Sequence, residues 1–212
     1  MRIVLMIAVP FVILLSGCAK TMNENECLVA DWRTIGYQDG SQGRAEQWLE
    51  RRGEACAEYS VAPNMDEYLL GRMQGLTAFC QPRRGFDMGL RGNRYDNVCP
   101  QNLEGEFLYA YQDGRSLRNR QVNVRNIEQE LSANIAELDT LDKQITADTV
   151  FLATGEMTAQ ERIDLALNLK DMAERSGHLH ERMPQIEADL NAAIYDLDQY
   201  RASIAQKYPG AV

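Results

Sequence analysis

Apolar residues recur in alternating steps of three and four through most of the second half of the sequence. This heptad spacing places them on one side of an α-helix and is typical of a coiled-coil seam. The sequence therefore predicts two long helices. The first seam contains Val124, Ile127, Leu131, Asn134, Leu138, Leu141, Ile145, Asp148 and Leu152, and the second contains Leu165, Leu169, Met172, Ser176, Leu179, Met183, Ile186, Leu190, Ala193, Leu197, Tyr200 and Ile204.

The short segment between the two seams predicts an antiparallel helical hairpin. Gly155 suits the C-terminal end of the first helix, and Thr158 with Glu161 can form a capping box for the second. We assign the hairpin to residues 115–208 and a tail to residues 209–212.

The second predicted helix is the longer of the two, so its C-terminal end has no partner within the hairpin. Pairing outward from the loop leaves about the last ten residues to lie against the preceding domain. We therefore expect Tyr200 and Tyr208 to lie where the hairpin meets that domain.

Composition changes sharply near Gly114, because eleven glycines lie between Gly36 and Gly114 and only three follow. The first half also contains a repeat that combines an aromatic residue, a small residue and a glycine. Its four copies lie at residues 32–40, 68–75, 86–92 and 107–114, and the first and last share the string Tyr-Gln-Asp-Gly. Small residues four apart share one helix face and let another backbone approach closely. The pattern predicts short helices packed through glycine faces; the alternative places the glycines in turns with positive φ.

We assign this glycine-rich domain to residues 27–114 and expect it to be helical. Asn64 and Glu67 have the spacing of a helix N-cap and its capping-box partner, which predicts a helix through Cys80. A second helix is predicted over about residues 41–58. The fold class is thus all-α, a small disulfide-stapled helical domain followed by a long antiparallel coiled-coil hairpin.

The N-terminus has the pattern of an export signal, with Arg2 followed by an apolar run too short to span a membrane. Residues 1–17 would be removed. The run ends in a segment that resembles a lipobox, in which a branched apolar residue and two small residues precede a cysteine: Leu15-Ser16-Gly17-Cys18. The resemblance implies cleavage before Cys18 and acylation of its thiol. The alternative is an ordinary signal peptide followed by an ordinary cysteine.

The residue after Cys18 is Ala19, and the absence of aspartate there implies sorting to the outer membrane. We expect a lipid-anchored protein that faces the periplasm, with residues 18–26 as a polar tether. Loss of Arg2 changes the formal charge from −9 to −10. An acidic chain without a basic stripe argues against nucleic acid as a partner.

Four cysteines remain after Cys18, and an even number in an exported chain predicts two disulfides. Three pairings of Cys27, Cys56, Cys80 and Cys99 are possible. We favour the two shortest loops, Cys27 with Cys56 and Cys80 with Cys99. No pair has the C-x-x-C spacing of a zinc ribbon or redox motif, and we predict no metal and no cofactor.

The glycine-rich segment carries a spaced set of glycine, aromatic and cysteine residues with a few neighbours: Trp32, Gly36, Asp39, Gly40, Gly43, Cys56, Tyr68, Gly71, Gly75, Cys80, Gly85, Gly89, Gly92, Tyr95, Val98, Cys99 and Pro100. On these residues, the segment of about residues 31–114 resembles an uncharacterised family of proteobacterial lipoproteins, the domain of unknown function 2799. The resemblance implies an envelope protein and brings no assigned activity.

Two carboxylates, Asp39 and Asp113, occupy equivalent places in the repeated string and would suit acid-base chemistry if they met in space. An aspartate before glycine is more often a turn or helix-end residue, so we predict no catalytic residue. His178 and His180 are two residues apart, a spacing that points helical side chains away from each other and does not favour a metal site.

Three polar residues, Asn134, Asp148 and Ser176, occupy seam positions. We favour the hypothesis that they set the register of the hairpin; the alternative is that they mark the entry of a partner helix.

The favoured function is a non-enzymatic interaction or scaffold protein, tethered by lipid on Cys18, whose hairpin contacts an envelope protein. One alternative is an envelope enzyme with an acidic cleft built on Asp39 and Asp113. Another is an adaptor of a transport assembly, although the strand-rich flanking domains of such adaptors have no counterpart in this sequence. The oligomeric state stays open.

Overall fold

The computed structural model describes residues 21–210, so Cys18 and the predicted signal lie outside the described residues. Residues 21–210 form seven α-helices and no β-strand, which confirms the all-α prediction. Contacts divide the chain into two compact units, unit 1 through Phe79 and unit 2 from Cys80 onward. The helices are α1 (Glu24–Leu28), α2 (Trp32–Ser41), α3 (Gln47–Ala57), α4 (Met65–Phe79), α5 (Pro82–Arg91), α6 (Gln101–Thr154) and α7 (Ala159–Lys207).

In unit 1, α2 and α4 cross through the glycines of the first two repeats, which confirms the predicted glycine faces. A Cβ atom on Gly71 would lie 1.9 Å from the carbonyl oxygen of Arg33, and one on Gly36 would lie 2.1 Å from that of Tyr68. Only glycine allows two helix backbones to approach this closely. The four glycines at the crossing are Gly36, Gly40, Gly71 and Gly75.

Helix α4 begins as predicted, because the Asn64 side chain accepts a hydrogen bond from the Glu67 N–H at 3.2 Å. Helix α3 is shorter than the predicted segment of residues 41–58. Helix α2 continues through Ser41, and Gly43, with a φ of 69°, then turns the chain before α3 starts.

The structure corrects the predicted polar tether for residues 21–26, which are folded, while residues 18–20 of that tether lie outside the described residues. The side chain of Asn23 accepts the N–H of Glu26, and the Glu26 carboxylate accepts the N–H of Asn23. This capping box starts α1, and Met22 before it is buried in the core of unit 1. The polar residues that suggested a solvated segment are the caps of a helix.

Both disulfides join cysteines within one unit. Cys27 is bonded to Cys56 in unit 1, and Cys80 is bonded to Cys99 in unit 2, which is the pairing with the shortest loops. Each bond restricts the unfolded chain and contributes about 3 kcal/mol to stability.

In unit 2, α5 crosses the first part of α6 through the last two repeats, as α2 crosses α4 in unit 1. A Cβ atom on Gly89 would lie 2.0 Å from the carbonyl oxygen of Tyr111. Gly114 lies inside α6, so the change in composition there, which suggested a domain boundary, does not interrupt the helix. The glycine is tolerated because its missing side chain admits the backbone of Phe86, whose oxygen would lie 2.1 Å from a Cβ atom.

Helices α6 and α7 form the predicted antiparallel hairpin. Leu138, Leu141 and Leu179 form a buried cluster on the seam. The Thr158–Glu161 capping box opens α7 as predicted, and α7 continues without interruption through Pro184. None of the helices within the described part combines the length and apolar character that crossing a bilayer requires.

Candidate functional site

Asp39 lies at the centre of unit 1 with 0% of its surface exposed. Its carboxylate accepts hydrogen bonds from Arg44 at 2.9 Å, from Arg52 at 2.9 and 2.7 Å, and from the Tyr68 hydroxyl at 3.0 Å. Burial, together with the negative charge of Asp39, raises the pKa of Tyr68, so the phenol remains a hydrogen-bond donor. The carboxylate therefore joins residues of α2, α3 and α4 and the turn between α2 and α3.

Asp113 plays a corresponding part in unit 2. Its carboxylate accepts hydrogen bonds from the Tyr208 hydroxyl at 2.9 Å, the Tyr200 hydroxyl at 3.3 Å and the Lys207 ammonium. Tyr200 and Lys207 lie in the last turns of α7 and Tyr208 is its C-cap residue, so these bonds attach the C-terminal end of α7 to α6. This confirms the predicted placement of Tyr200 and Tyr208.

Burial and the hydrogen bond to Asp113 raise the pKa of Tyr208 to about 12. Burial alone would lower the pKa of Lys207, but its hydrogen bonds to Asp113 and Tyr109, together with the negative charge of Asp113, outweigh that effect and raise the pKa above the ordinary value. The phenol and the ammonium thus both keep their protons, and their bonds to Asp113, well above neutral pH.

The repeats of the two units differ in which residue supplies the hydroxyl group that donates to the aspartate. In unit 1 the aromatic residue of the second copy is Tyr68, whose hydroxyl reaches Asp39 directly. The equivalent residue in unit 2 is Phe86, which has no hydroxyl. The ring of Tyr208 stacks on Phe86 with centroids 4.8 Å apart and carries its hydroxyl to Asp113. In unit 2, Tyr208 after α7 therefore supplies the hydroxyl donor that Tyr68 supplies from a repeat in unit 1.

This geometry does not favour an enzyme with an acidic cleft. Asp39 and Asp113 each accept hydrogen bonds from cationic and phenolic partners within their own unit, and these bonds occupy the oxygens that acid-base chemistry would need. We assign neither aspartate a catalytic role. Within residues 21–210, no three His, Cys, Asp or Glu side chains lie close enough together to hold a metal ion.

The polar residues of the seams do not form hydrogen bonds that would set the register. Ser176 is buried and its carbonyl oxygen lies 3.0 Å from His180 Nδ1, within the same helix. The amide nitrogen of Asn134 has no hydrogen-bond partner. The helices are instead linked by ion pairs of Glu137 with Arg175 and of Glu130 with Arg182. His178 lies on the surface, 4.0 Å from Glu181.

Both helices of the hairpin carry exposed apolar side chains near the turn that joins them. Val150, Phe151, Ile163 and Leu167 are each more than half exposed and lie outside the two seams. We call these four residues the hairpin end. Sequence reasoning missed them, although their off-seam positions were a signal that could have identified them.

Two contacts brace the turn beside the hairpin end. The Arg162 guanidinium donates a hydrogen bond to the Leu152 carbonyl oxygen across the turn. A Cβ atom on Gly155 would lie 2.6 Å from the ring of Phe151, so the ring lies directly over this glycine. The apolar groups are therefore presented by an ordered structure.

Together these features define a helical, disulfide-bonded protein built on glycine-packed helix pairs, the second of which continues into a hairpin. A model of the family described as "Protein of unknown function (DUF2799)" matches residues 31–116, which include all four repeats. The match confirms the resemblance of this part of the chain to that uncharacterised family. No curated protein and no solved structure matches the chain.

We expect Tyr208→Phe to lower the free energy of unfolding by about 1 kcal/mol at neutral pH, because phenylalanine retains the stacking on Phe86 but not the hydrogen bond to Asp113. The folded pKa of about 12 exceeds the ordinary value of 10.0. This contribution is therefore complete below pH 10 and is lost as the pH rises through 12. Urea unfolding followed by circular dichroism should show the two proteins converging over that interval.

The matched control is Tyr195→Phe, which removes a hydroxyl from a side chain on α7 that is 68% exposed. It should leave stability unchanged within about 0.5 kcal/mol. A difference between Tyr208→Phe and the wild type that stays constant up to pH 12 would contradict the assigned hydrogen bond.

Proposed function

We propose that this protein is a lipid-anchored, non-enzymatic interaction protein of the outer membrane that binds an envelope protein through the hairpin end. The exposure of the four apolar side chains of the hairpin end carries the proposal. The lipobox-like segment before Cys18 supports the anchor. The two disulfides support an oxidising compartment such as the periplasm.

The hairpin end is better suited to binding than to stability. Its side chains do not belong to the seam between α6 and α7. They are exposed to solvent and therefore contribute little to the stability of the hairpin. Val150 and Phe151 are neighbours on α6, and Ile163 and Leu167 lie four residues apart on one face of α7. Exposed apolar side chains concentrated in this way are typical of sites of protein contact. The acidic residues near them in the chain are Asp148, Glu156, Glu161 and Asp164, which favours a partner with a basic rim around an apolar centre.

The alternative of a transport adaptor has less support. Such adaptors flank their hairpin with strand-rich domains, whereas the described residues on both sides of this hairpin turn are helical. The alternative of an enzyme has less support because the two aspartates already serve as structural acceptors.

The binding proposal can be tested by placing a photo-crosslinking amino acid at Phe151 or Ile163 in living cells. We expect both positions to yield the same adduct with one envelope protein. Ile135 is the matched control, because it is an equally exposed apolar residue on α6 away from the turn, and it should yield no such adduct. Equal adducts from Ile135, or none from the hairpin end, would contradict the proposal.

The anchor is tested separately with Cys18→Ser. We expect this substitution to abolish incorporation of labelled palmitate and to release the protein from the membrane fraction. Unchanged labelling and fractionation would exclude acylation at this cysteine.

A further inference from the structure

The folded chain starts very close to the cysteine that we propose to be acylated. The Thr21 hydroxyl donates a 3.0 Å hydrogen bond to the Arg51 carbonyl oxygen on α3, which holds Thr21 on the surface of unit 1. Only two residues separate Cys18 from Thr21 in the sequence. An extended chain covers at most about 3.6 Å per residue, so the Cα atoms of Cys18 and Thr21 lie within about 11 Å of each other.

This connection leaves unit 1 little freedom to move away from an anchored Cys18. Met22 is buried, with its sulfur 3.8 Å from the sulfur of Cys56, so the core of unit 1 begins one residue after Thr21. Whatever surface surrounds Thr21 must therefore lie near the lipid if Cys18 is acylated.

That surface carries an exposed apolar pair at the end of α1. Leu28 is 61% exposed and Val29 is 81% exposed. Val29 lines the same cleft as Thr21 and Met22, which places it beside the start of the folded chain. The pair directly follows Cys27, whose disulfide fixes α1 to α3, so both side chains are presented by a braced segment.

We propose that unit 1 is seated on the phospholipid surface, with Leu28 and Val29 entering the boundary between headgroups and acyl chains. This inference rests on the proposed acylation of Cys18. The occupant is lipid because the limited reach from Cys18 brings this surface to the membrane. Exposed apolar side chains gain free energy when they enter the interface.

The charge around the pair specifies the kind of lipid. Glu24 and Glu26 are exposed on the same short helix, and an acidic surface is repelled by anionic headgroups. The surface around Leu28 and Val29 therefore favours contact with zwitterionic phospholipid such as phosphatidylethanolamine. Acyl chains on Cys18 supply the affinity, and the apolar pair sets which side of unit 1 faces the lipid.

The test uses the full acylated protein in vesicles of phosphatidylethanolamine and phosphatidylcholine that contain a radiolabelled form of each lipid. A photo-crosslinking amino acid is placed at Val29, or at Met73, an exposed apolar residue on α4 of the same unit, as the matched control. After illumination, we expect a lipid adduct at Val29 that exceeds the adduct at Met73 several-fold. Flotation of each sample measures anchoring independently.

Two failures are distinguishable. The protein could float with the vesicles while Val29 yields no more lipid adduct than Met73. In that case the proposed contact of Leu28 and Val29 with lipid is wrong, and the lipid anchor on Cys18 is retained. If the acylated protein does not float, lipid on Cys18 does not anchor it to the vesicles, and the proposed contact of unit 1 with the lipid is overturned as well. Because Val29 is largely exposed, the substituted protein retains the core packing of unit 1, which near-ultraviolet circular dichroism verifies.

Discussion

Asp39→Asn is expected to lower the free energy of unfolding by about 4 kcal/mol, because it removes the charge that neutralises two guanidinium groups. Arg52 binds Asp39 through two nitrogens, and only 11% of its side chain is exposed. The cost of leaving a buried cation without its partner far exceeds that of one lost hydrogen bond. Chemical denaturation monitored by far-ultraviolet circular dichroism measures the change.

Glu54→Ala is the control for this prediction, because it removes an exposed carboxylate from α3 of the same unit. It should change stability by no more than about 0.5 kcal/mol. Equal effects of the two substitutions would show that Asp39 does not hold unit 1 together, and its assignment as a structural residue would have to be withdrawn.

Gly89→Ala is expected to destabilise unit 2 by about 3 kcal/mol, even though alanine is the better helix former. The added methyl group would lie 2.0 Å from the carbonyl oxygen of Tyr111 and 2.8 Å from the amide nitrogen of Arg115. Both atoms belong to the backbone of α6, so relief requires the two helices to separate. Thermal or denaturant unfolding of the full chain measures the loss.

The same change at Gly105 should have the opposite sign. Gly105 also lies in a helix of unit 2, but a Cβ atom there meets nothing within 4 Å. Gly105→Ala should therefore stabilise the protein by about 0.5–1 kcal/mol, the helix propensity difference alone. If Gly89→Ala were stabilising as well, the close approach of α5 and α6 would be disproved.

Asp39→Asn and Gly89→Ala each test a pair of crossed helices, α2 with α4 in unit 1 and α5 with α6 in unit 2. In each pair, glycines bring the backbones together and an aspartate beside the crossing accepts bonds from neighbouring elements. In unit 2 the bonds to Asp113 also attach the C-terminal end of α7 to α6, so this pair supports the base of the hairpin.

Sequence alone determined the features whose physical cause lies within a few residues. Heptad spacing in the second half predicted the hairpin, and the Thr158–Glu161 pair predicted the start of α7. Glycines four apart predicted close helix crossings, because that spacing leaves one helix face without side chains. Each of these signals acts within one helix, so it is visible without the rest of the chain.

Other features depend on contacts between residues that are distant in the sequence, so only the tertiary structure reveals them. Whether Asp39 and Asp113 were turn residues, catalytic groups or buried acceptors depended on partners that no local spacing reveals; Tyr208 lies 95 residues from Asp113. Residues 21–26 belong to the fold because Met22 is buried in the core of unit 1, which no local pattern in that segment reveals. Local spacing encodes helices and their apolar faces, whereas the burial and pairing of a polar group depend on which distant residues pack against it.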